Sequence, residues 1–530
     1  MSTKEDFLLL LNSTANSRNF WKEYREFCRN LEKVDVELFF THLPLLLKKI
    51  ENDGSSRELI NAIENASSID TEFGNILYFK IINQSNLQQL QLLPNILCGL
   101  FKVEIPETIL KIKNLIKSDD VNKIKLGIQS IAEIETEALK SNSEFLKFVE
   151  AEFKNIVSLE NSKYLWPSIL FVCRNKRDVI NNADEIIQKL SAETNIEIQI
   201  ELIYFLSYNL NIDKEEKLFK ETLHKLIPLN IEYKGAYNQL SYTLSELSKI
   251  HIKTVLDFLN KWVAFDVSHA KNIELLEYLL NTIIDNDLNK YEELITNWLN
   301  SDNANYHIAV FEIMRANHIR DILEMKISKK LLRDMSNYDV EYITYKILGF
   351  IYDKNISTSM VYSILENKID NQKLVNFLSD VFVTYFIFNY YGTIEFLHDK
   401  KKNAVPKMKK AIAAIIIEGE KHYSAYSELD ILREFSPSEM RLGYIHKIQN
   451  KKFNKSFKEI EEKDDSFLSH LKNIQLKAGK TSFCKYMGQY SKQMELNKFS
   501  SGGELPRGEF IDPVGQKKLR RSWQNHKRKK

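Results

Sequence analysis

The sequence predicts an all-α protein, and three observations support this prediction. The 530 residues include only 15 glycines and 9 prolines, fewer than folds built from strands and tight turns require. Apolar residues recur at spacings of three and four along most of the chain, which is typical of amphipathic helices. With 44% hydrophobic residues, 24 tyrosines and 30 phenylalanines, the chain has the composition of a folded protein.

The helical periodicity is clearest between residues 270 and 315. Four apolar residues mark one face of a first helix: Ile273, Leu276, Leu280 and Ile283. Four more follow an Asp-Asn-Asp turn: Leu288, Tyr291, Ile295 and Trp298. A third face follows a Ser-Asp-Asn turn: Ile308, Phe311 and Met314. Polar turns between short amphipathic segments predict three consecutive helices, each with one buried face.

The same alternation of helices and short polar turns extends from the N-terminus to about residue 400. An amphipathic helix cannot bury its apolar face alone, so consecutive hairpins are expected to stack. In this rhythm the chain resembles the HEAT and armadillo repeat proteins. The Trp and Asn ladder of armadillo import adaptors is missing, because no Asn stands four positions after Trp166 or Trp298. The resemblance implies an extended α-solenoid that binds other proteins, with an irregular helix bundle as the alternative.

Composition divides the chain into three predicted regions. Residues 1–400 form an acidic helical body, and a lysine-rich run around Pro406 marks its end. Residues 401–498 form a basic helical domain, in which Ser436, Pro437 and Glu439 favour a helix start. Residues 499–530 form a loop followed by a basic tail. The loop, residues 499–516, contains four glycines and two prolines and is predicted to be non-helical, either loose or docked on a groove as an extended peptide.

Charge is strongly polarised along the sequence. Residues 440–530 contain 22 Lys and Arg against 9 Asp and Glu, a net charge of +13, whereas the whole chain has a net charge of +2. The remainder therefore carries −11. Three partners suit such a basic end: nucleic acid, the protein's own acidic body, or solvent alone.

Of these three, we favour nucleic acid, DNA in particular, bound without sequence preference. Trp523 is expected to stack on a base. The predicted nucleic-acid-binding residues are Lys400, Lys401, Lys402, Lys407, Lys409, Lys410, Lys517, Lys518, Arg520, Arg521, Trp523, Lys527, Arg528, Lys529 and Lys530.

Two groups of acidic residues and histidines in the C-terminal third are candidates for acid–base catalysis. Glu418, Glu420 and His422 lie within five residues, and Glu439 and His446 are seven apart, two turns along one helical face. Neither group supplies a full catalytic constellation, so surface salt bridging or a satisfied core histidine is the stronger interpretation. The sequence predicts no metal site and no cofactor.

Gly479, Lys480 and Thr481 match the end of a phosphate-binding loop. Ile474 stands where that loop requires glycine, and no strand is predicted before it, so a helix end capped by Gly479 is favoured. Trp262 and Asp266 match a residue pair that helical-repeat DNA glycosylases use, but a core Trp and a helix cap are the stronger interpretation.

Four residues of the C-terminal tail have the acid and lysine content of metal-dependent nucleases: Glu504, Glu509, Asp512 and Lys517. They lie in a Gly- and Pro-rich loop without a strand pair, and a magnesium site needs converging carboxylates on a rigid frame. A metal site there is therefore not predicted.

The cysteines and the apolar runs bear on the compartment. Cys28, Cys98, Cys173 and Cys484 are far apart and form no zinc or redox motif, which fits a reducing compartment. No apolar run approaches the roughly 20 residues of a spanning helix, so a cytoplasmic protein is expected.

Three functional hypotheses follow from the sequence. The leading one is a non-enzymatic adaptor that binds proteins through its helical body and nucleic acid through its basic end. The second is a nucleic-acid hydrolase or glycosylase with a Glu and His site in the C-terminal third. The third is a subunit of a larger nucleic-acid-processing or bacterial defence assembly. The sequence does not predict an oligomeric state.

Overall fold

The structure is a computed structural model of the chain. It describes residues 7, 10–11, 18–50, 56–84, 86–317, 324–390, 392–428, 440–441, 443–444, 446–448, 451, 474–478, 481–486, 489–490, 494–495 and 506–528. Helices dominate these residues, as the apolar periodicity predicted. No helix in the described part of the chain is both long and apolar enough to cross a lipid bilayer.

The helices follow one another at short intervals. Up to residue 265 they are α1 (Arg18–Arg29), α2 (Val36–Ile50), α3 (Ser56–Ile69), α4 (Thr71–Ile82), α5 (Leu87–Leu90), α6 (Leu93–Phe101), α7 (Ile105–Ile116), α8 (Val121–Glu133), α9 (Thr136–Lys140), α10 (Ser143–Ser158), α11 (Trp166–Asn175), α12 (Ala183–Leu190), α13 (Ile196–Tyr208), α14 (Ile212–Lys225) and α15 (Lys234–Phe265). Short 3₁₀ turns occupy Leu31–Lys33 and Glu160–Leu165. Helix α15 is kinked at His251, whose backbone is not helical.

The remaining helices begin after residue 266. They are α16 (Val267–Lys271), α17 (Glu277–Asn286), α18 (Leu288–Leu299), α19 (Ala304–Asn317), α20 (Lys329–Asp334), α21 (Asn337–Phe350), α22 (Lys354–Asn367), α23 (Gln372–Val381), α24 (Gly392–Asn403), α25 (Pro406–Glu428), α26 (Arg507–Ile511) and α27 (Pro513–Gln524). A 3₁₀ turn, Ile273–Leu276, precedes α17, and a π-helical turn, Phe382–Ile387, follows α23.

Short polar residues start many of these helices. The side chain of Asp70 accepts a hydrogen bond from the Phe73 amide at the start of α4, and Asp353 caps α22 in the same way. Ser336 and Asp339 form a reciprocal capping box at α21. Each cap satisfies a backbone N–H that has no partner inside its helix, so the predicted Asn, Asp and Ser turns do serve as helix boundaries.

Contacts divide the chain into two compact units. Unit 1 comprises Met1–Phe265 and Leu275–Thr282, and unit 2 comprises Asp266–Glu274 and Ile283–Lys530. The predicted boundary near residue 400 lies within unit 2, and α24 and α25 pack together across it. Leu397 and Met408 on the two sides are both buried, because the lysines of this run occupy only the outer faces of the helices.

Unit 1 is built from stacked helical hairpins. One series of helices packs each member against the next: α3, α6, α8, α11, α13 and α15. Intervening helices cover this series, among them α4 against α6, α7 against α8 and α14 against α13. Stacking of successive hairpins into a continuous core is the α-solenoid architecture. The predicted all-α solenoid class is confirmed.

Glycine permits one unusually close helix crossing in unit 1. A Cβ atom at Gly99 on α6 would lie 2.2 Å from the carbonyl oxygen of Glu64 on α3. No side chain fits at that distance, so α3 and α6 can approach this closely only with glycine at position 99.

Unit 2 contains an extended segment, Glu324–Ser328, packed between α18 and α22. The backbone N–H groups of Lys326 and Ser328 donate to Glu292 Oε1 (2.8 Å) and Thr296 Oγ1 (2.9 Å), both on α18. The intervening N–H groups donate to α22: Met325 to Ser359 Oγ (3.0 Å) and Ile327 to Ser363 Oγ (2.9 Å). Successive amides of an extended chain point in opposite directions. Two pairs of side chains, each four residues apart on a helix, therefore satisfy both sides of the segment.

Four short strands form a small antiparallel sheet where the sequence predicted helix. They are β1 (Ile474–Ala478), β2 (Thr481–Tyr486), β3 (Gln489–Tyr490) and β4 (Met494–Glu495), and β2 pairs with each of the others. The helical prediction for this part of 401–498 is wrong. So is the expectation that no strand precedes Gly479, since β1 ends at Ala478, which pairs with Thr481. The alternation of apolar and polar residues from Ile474 to Ala478 has the period of a strand.

The prediction that residues 499–516 are non-helical is also wrong for the described part of that range. Helix α26 begins at Arg507, and α27 begins at Pro513. The Asp512 side chain accepts a hydrogen bond from the Gly515 amide, and proline is favoured in the first turn because it needs no N–H partner there. An Asp-Pro pair that resembles a turn in composition is here a helix start.

Candidate functional site: the docked C-terminal helix

The C-terminal helix α27 packs on α21 within unit 2, and Arg520 lies at the centre of this contact. Its guanidinium lies 3.9 Å from the centroid of the Tyr352 ring, and Nη2 is 3.5 Å from the Tyr385 hydroxyl. Glu509 Oε1 is 3.8 Å from the same nitrogen, and the Arg520 side chain is only 10% exposed. A buried cation is stable only where aromatic faces and anions replace its water.

Trp523, one turn further along α27, makes the second contact. Its ring meets the Tyr385 ring edge-on at 4.9 Å between centroids. Gln524 follows and donates from Nε2 to the Gly349 carbonyl oxygen at 2.9 Å, while Lys346 Nζ donates to the Gln524 carbonyl. A Cβ atom at Gly349 would lie 3.0 Å from the Gln524 nitrogen, so any side chain there would have to push α27 slightly away from α21, and glycine permits the closer approach.

Arg528 makes the third contact, just beyond the end of α27. Its Nη1 lies 2.8 Å from Asp339 Oδ1, and its Nε lies 3.8 Å from Asp302 Oδ1. Nη2 donates to both the backbone and the side-chain oxygen of Asn300, and the guanidinium lies 5.0 Å from the Tyr342 ring centroid. Two carboxylates and a carbonyl give this arginine the charge-assisted hydrogen bonds that favour a fixed geometry.

The segment before α27 is held as well. The Gly508 amide donates to Asn389 Oδ1 at 2.9 Å, and the Arg507 guanidinium lies 4.6 Å from the Tyr423 ring centroid. The tail is therefore fixed at several points along residues 507–528. Among the three partners considered for the basic end, the structure places Arg520, Trp523 and Arg528 on the protein's own helical body.

The other predicted nucleic-acid-binding residues divide into two groups. Three lysines form ion pairs within unit 2: Lys400 with Glu324 (2.6 Å), Lys402 with Asp399 (2.7 Å) and Lys407 with Asp370 (2.6 Å). Lys401 is half-buried, and six more are exposed: Lys409, Lys410, Lys517, Lys518, Arg521 and Lys527. Lys529 and Lys530 lie outside the described residues.

The candidate catalytic residues are largely exposed. Glu418, Glu420 and His422 are exposed on α25, and Glu418 lies 3.9 Å from Lys421 in a surface ion pair. His446 is exposed, and Glu439 lies outside the described residues. His422 lines a pocket of about 250 Å³ with Thr384, Ile387, Tyr423 and Arg507, among others. Within the described ranges, no three His, Cys, Asp or Glu side chains converge as a metal site.

The remaining motifs have structural roles in the described residues. Trp262 is fully buried and donates from Nε1 to the Tyr237 hydroxyl at 3.3 Å. Asp266 caps α16. In the tail, Asp512 caps α27 and Glu509 faces Arg520, Lys517 is exposed, and Glu504 is outside the described residues. The interpretation of Trp262 as a core anchor and Asp266 as a cap is confirmed.

A second surface, in unit 1, was not predicted from the sequence. We define the aromatic strip as the exposed or half-buried side chains of Tyr204, Tyr208, Tyr242, Ile250 and Tyr278. Tyr204 and Tyr208 lie 6.1 Å apart between ring centroids, and Tyr242 and Tyr278 lie 6.4 Å apart. Tyr208, Tyr242 and Tyr278 recur at intervals of 34 and 36 residues, close to the repeat length expected for a solenoid. That interval is the signal that could have revealed the strip.

Comparisons with known proteins identify no family. No family model matches the chain, and no curated protein sequence matches it. Among known structures, it is similar to a chain from a homology model of the full-length AP-3 complex in an intermediate open conformation, with 13% sequence identity and a TM-score of 0.34. The match covers 80% of this chain and 78% of that one. A likeness at this level indicates neither a family nor a function.

Proposed function

We propose that this protein is a non-enzymatic helical scaffold that binds protein partners through the aromatic strip of unit 1. The exposure of the strip is the observation that supports this function. Tyr208 is 70% exposed, Tyr278 66% and Tyr242 50%, although tyrosine usually buries much of its ring in a folded protein. Aromatic side chains are enriched at protein interfaces and supply a large share of their binding energy. A contiguous exposed group of them is typical of an interaction site.

The strip also has a rigid foundation, which favours specific binding. Ser207 on α13 and Thr243 on α15 share a hydrogen bond of 2.6 Å, and Ser245 on α15 and Thr282 on α17 share one of 2.5 Å. These bonds link the three helices that carry the tyrosines. A preorganised surface loses less conformational entropy when a partner binds.

We expect simultaneous replacement of Tyr208, Tyr242 and Tyr278 by serine to reduce partner binding about tenfold or more. The test is quantitative mass spectrometry of proteins retained by the tagged full-length chain from its native cells. Since the three side chains are half exposed or more, the fold should tolerate the changes, and circular dichroism checks this.

A matched control for the aromatic strip lies elsewhere in unit 1. Phe79 on α4 is 59% exposed, so Phe79→Ser removes a similar apolar area outside the strip. The control should retain all partners. The proposal fails if the triple variant retains the same proteins at the same levels as the parent, since the strip would then contribute nothing to binding.

A second candidate function is sequence-tolerant binding of nucleic acid by the outer face of α27, and one observation favours it. While Arg520 faces the body, Lys517, Lys518 and Arg521 are all exposed on the same helix. Replacing these three with glutamine should weaken duplex DNA binding and reduce the slope of log affinity against log salt by about 2.7, or about 0.9 for each cation. Lys217→Gln, at a lysine that is 91% exposed in unit 1, is the control. An unchanged slope in the triple variant would exclude this surface.

A further inference from the structure

A cleft in unit 1 contains polar groups that the protein itself leaves unused. The cleft has a volume of about 420 Å³ and lies between the C-terminal end of α13 and the first half of α15. Tyr208, Tyr242 and Ile250 line it, so one side of the cleft is part of the aromatic strip. Gln239, Asn209 and Thr243 line it as well.

Two of these polar side chains have buried atoms without a hydrogen-bond partner. They are Nε2 of Gln239, a donor, and Oδ1 of Asn209, an acceptor. Buried polar atoms in folded proteins are nearly always paired, and an unpaired one destabilises the structure. A donor and an acceptor in one cleft match the N–H and C=O groups that alternate along a peptide backbone.

Unit 2 shows how this chain holds such a backbone. There the side chains of Glu292 and Thr296, four residues apart on α18, accept hydrogen bonds from the amides of Lys326 and Ser328. The amides belong to an extended segment whose apolar side chains, Met325 and Ile327, are buried. A helix with a long polar residue and a threonine four positions later thus binds every second amide of an extended strand.

A related residue pattern, with glutamine in place of glutamate, faces the cleft in unit 1, and its unpaired group is a donor for a backbone carbonyl. Gln239 and Thr243 are four residues apart on α15, and both line the cleft, just as Glu292 and Thr296 are four apart on α18. In unit 2 the extended segment Glu324–Ser328 lies against Glu292 and Thr296. In unit 1 an open cleft with an apolar side lies against Gln239 and Thr243.

We propose that the cleft between α13 and α15 binds an extended peptide segment of a partner protein. A backbone carbonyl of the segment accepts a hydrogen bond from Gln239 Nε2, and its backbone N–H groups donate to Asn209 Oδ1 and Thr243 Oγ1. Alternate apolar side chains of the segment pack against Tyr208, Tyr242 and Ile250. A helical ligand does not fit these groups, because a helix satisfies its own backbone N–H and C=O groups. This inference rests on the proposed scaffold function and specifies the chemistry of its partner.

The test uses the full-length protein and a fluorescent peptide with the sequence of residues 323–329, Leu-Glu-Met-Lys-Ile-Ser-Lys, which has the required alternation. We expect saturable binding with a Kd of about 10 to 100 μM by fluorescence anisotropy. Gln239→Leu combined with Thr243→Val should weaken it about tenfold. Phe79→Ser, at an exposed position of unit 1 that does not line the cleft, should leave the Kd unchanged.

A modified peptide tests backbone recognition without altering the protein. Methylation of the Lys and Ser backbone nitrogens removes two N–H donors but keeps every side chain, and it should weaken binding about tenfold. Equal affinity for the methylated peptide, or no saturable binding up to about 1 mM, would overturn the extended-peptide inference. If cellular partners still depend on the tyrosines in that case, the scaffold function stands and its partner docks by another secondary structure.

Discussion

Replacing Arg520 with glutamate should release the C-terminal helix α27 from unit 2, whereas the same change at the adjacent Arg521 should leave it bound. The Arg520 side chain is 10% exposed, lies 3.8 Å from Glu509 and stacks on Tyr352. A glutamate there would place a second carboxylate beside Glu509 without a cation. Placing an unpaired carboxylate at this buried position costs about 3 kcal/mol or more, equivalent to about a hundredfold increase in the undocked population.

Hydrogen exchange of the α27 amides measures this undocking directly, because exchange in a helix held by tertiary contacts follows its local opening. In Arg520→Glu, amides of residues 516–524 should exchange about a hundredfold faster than in the parent. In Arg521→Glu, which carries the same change of charge at an exposed position, they should exchange at the parent rate. Equal acceleration in both variants would mean that net charge, and not the buried contact, holds the helix.

Two of the three partners considered for the basic end, the protein's own body and a nucleic acid, are compatible with the docked helix. Arg520, Trp523 and Arg528 face the protein body, while Lys517, Lys518 and Arg521 face solvent. Residues 513–528 thus divide their cations into an inward group, Arg520 on α27 and Arg528 just beyond it, which fixes the tail, and an outward group on α27, which remains accessible to a polyanion. Charge composition could predict that the tail needs a counter-surface, but it could not divide the cations between these two roles.

The helical class could be predicted because it depends on local information. Spacings of three and four and polar caps such as Asp70 are visible within a few residues. The tail contact joins Arg528 to Asn300, which are 228 positions apart, and no single-sequence pattern encodes that distance. The sheet at residues 474–495 and the start of α27 were missed for another reason. Both have local signals, strand alternation from Ile474 and an Asp-Pro helix start at Asp512, but the surrounding composition favours other structures.

The candidate sites also differ in whether the sequence or only the packing reveals them. Glu418, Glu420 and His422 attract attention because their side chains are reactive, yet the structure exposes all three on one helix. Tyr208, Tyr242 and Tyr278 recur at regular intervals in the sequence, but it is the packing of α13, α15 and α17 that shows that they face outward. Whether a side chain is exposed depends on which faces of neighbouring helices pack together. From an amphipathic pattern alone, an aromatic residue is expected on the buried face. An exposed strip of tyrosines therefore cannot be recognised from composition alone.

Lowering the pH from 7.5 to 5 should destabilise unit 2 through His307, by about 2 kcal/mol. His307 on α19 is 3% exposed, and its Nε2 is buried without a hydrogen-bond partner. Burial, together with the nearby Lys346 cation, lowers the pKa of His307 from 6.5 to about 4. The backbone of Leu299 and Ser301 and the Asp302 carboxylate oppose this shift.

Acid destabilises unit 2 because the unfolded protein binds a proton at His307 more tightly than the folded protein does. Unfolded chains protonate this histidine below about pH 6.5, whereas the folded protein resists protonation until about pH 4. Neutral His307 therefore costs nothing above pH 7, and the loss of stability grows as the pH falls from about 6.5 to about 4. The charged ring would bury an N–H group beside Lys346 and between the rings of Tyr342 and Phe350, where the cation has little solvation.

His307→Phe separates this effect from the titration of carboxylates elsewhere. Phenylalanine fills a similar volume beside Phe350, whose ring centroid is 5.1 Å from that of His307, and it does not titrate. The opening free energy of the α19 amides, measured by hydrogen exchange at pH 7.5 and pH 5, should fall about 2 kcal/mol less in the variant than in the parent. Tyr306→Phe, next to it on α19, should keep the parent's pH dependence. If His307→Phe keeps it too, the imidazole is not the group whose protonation destabilises α19, and the pH response of this helix must come from the carboxylates around it.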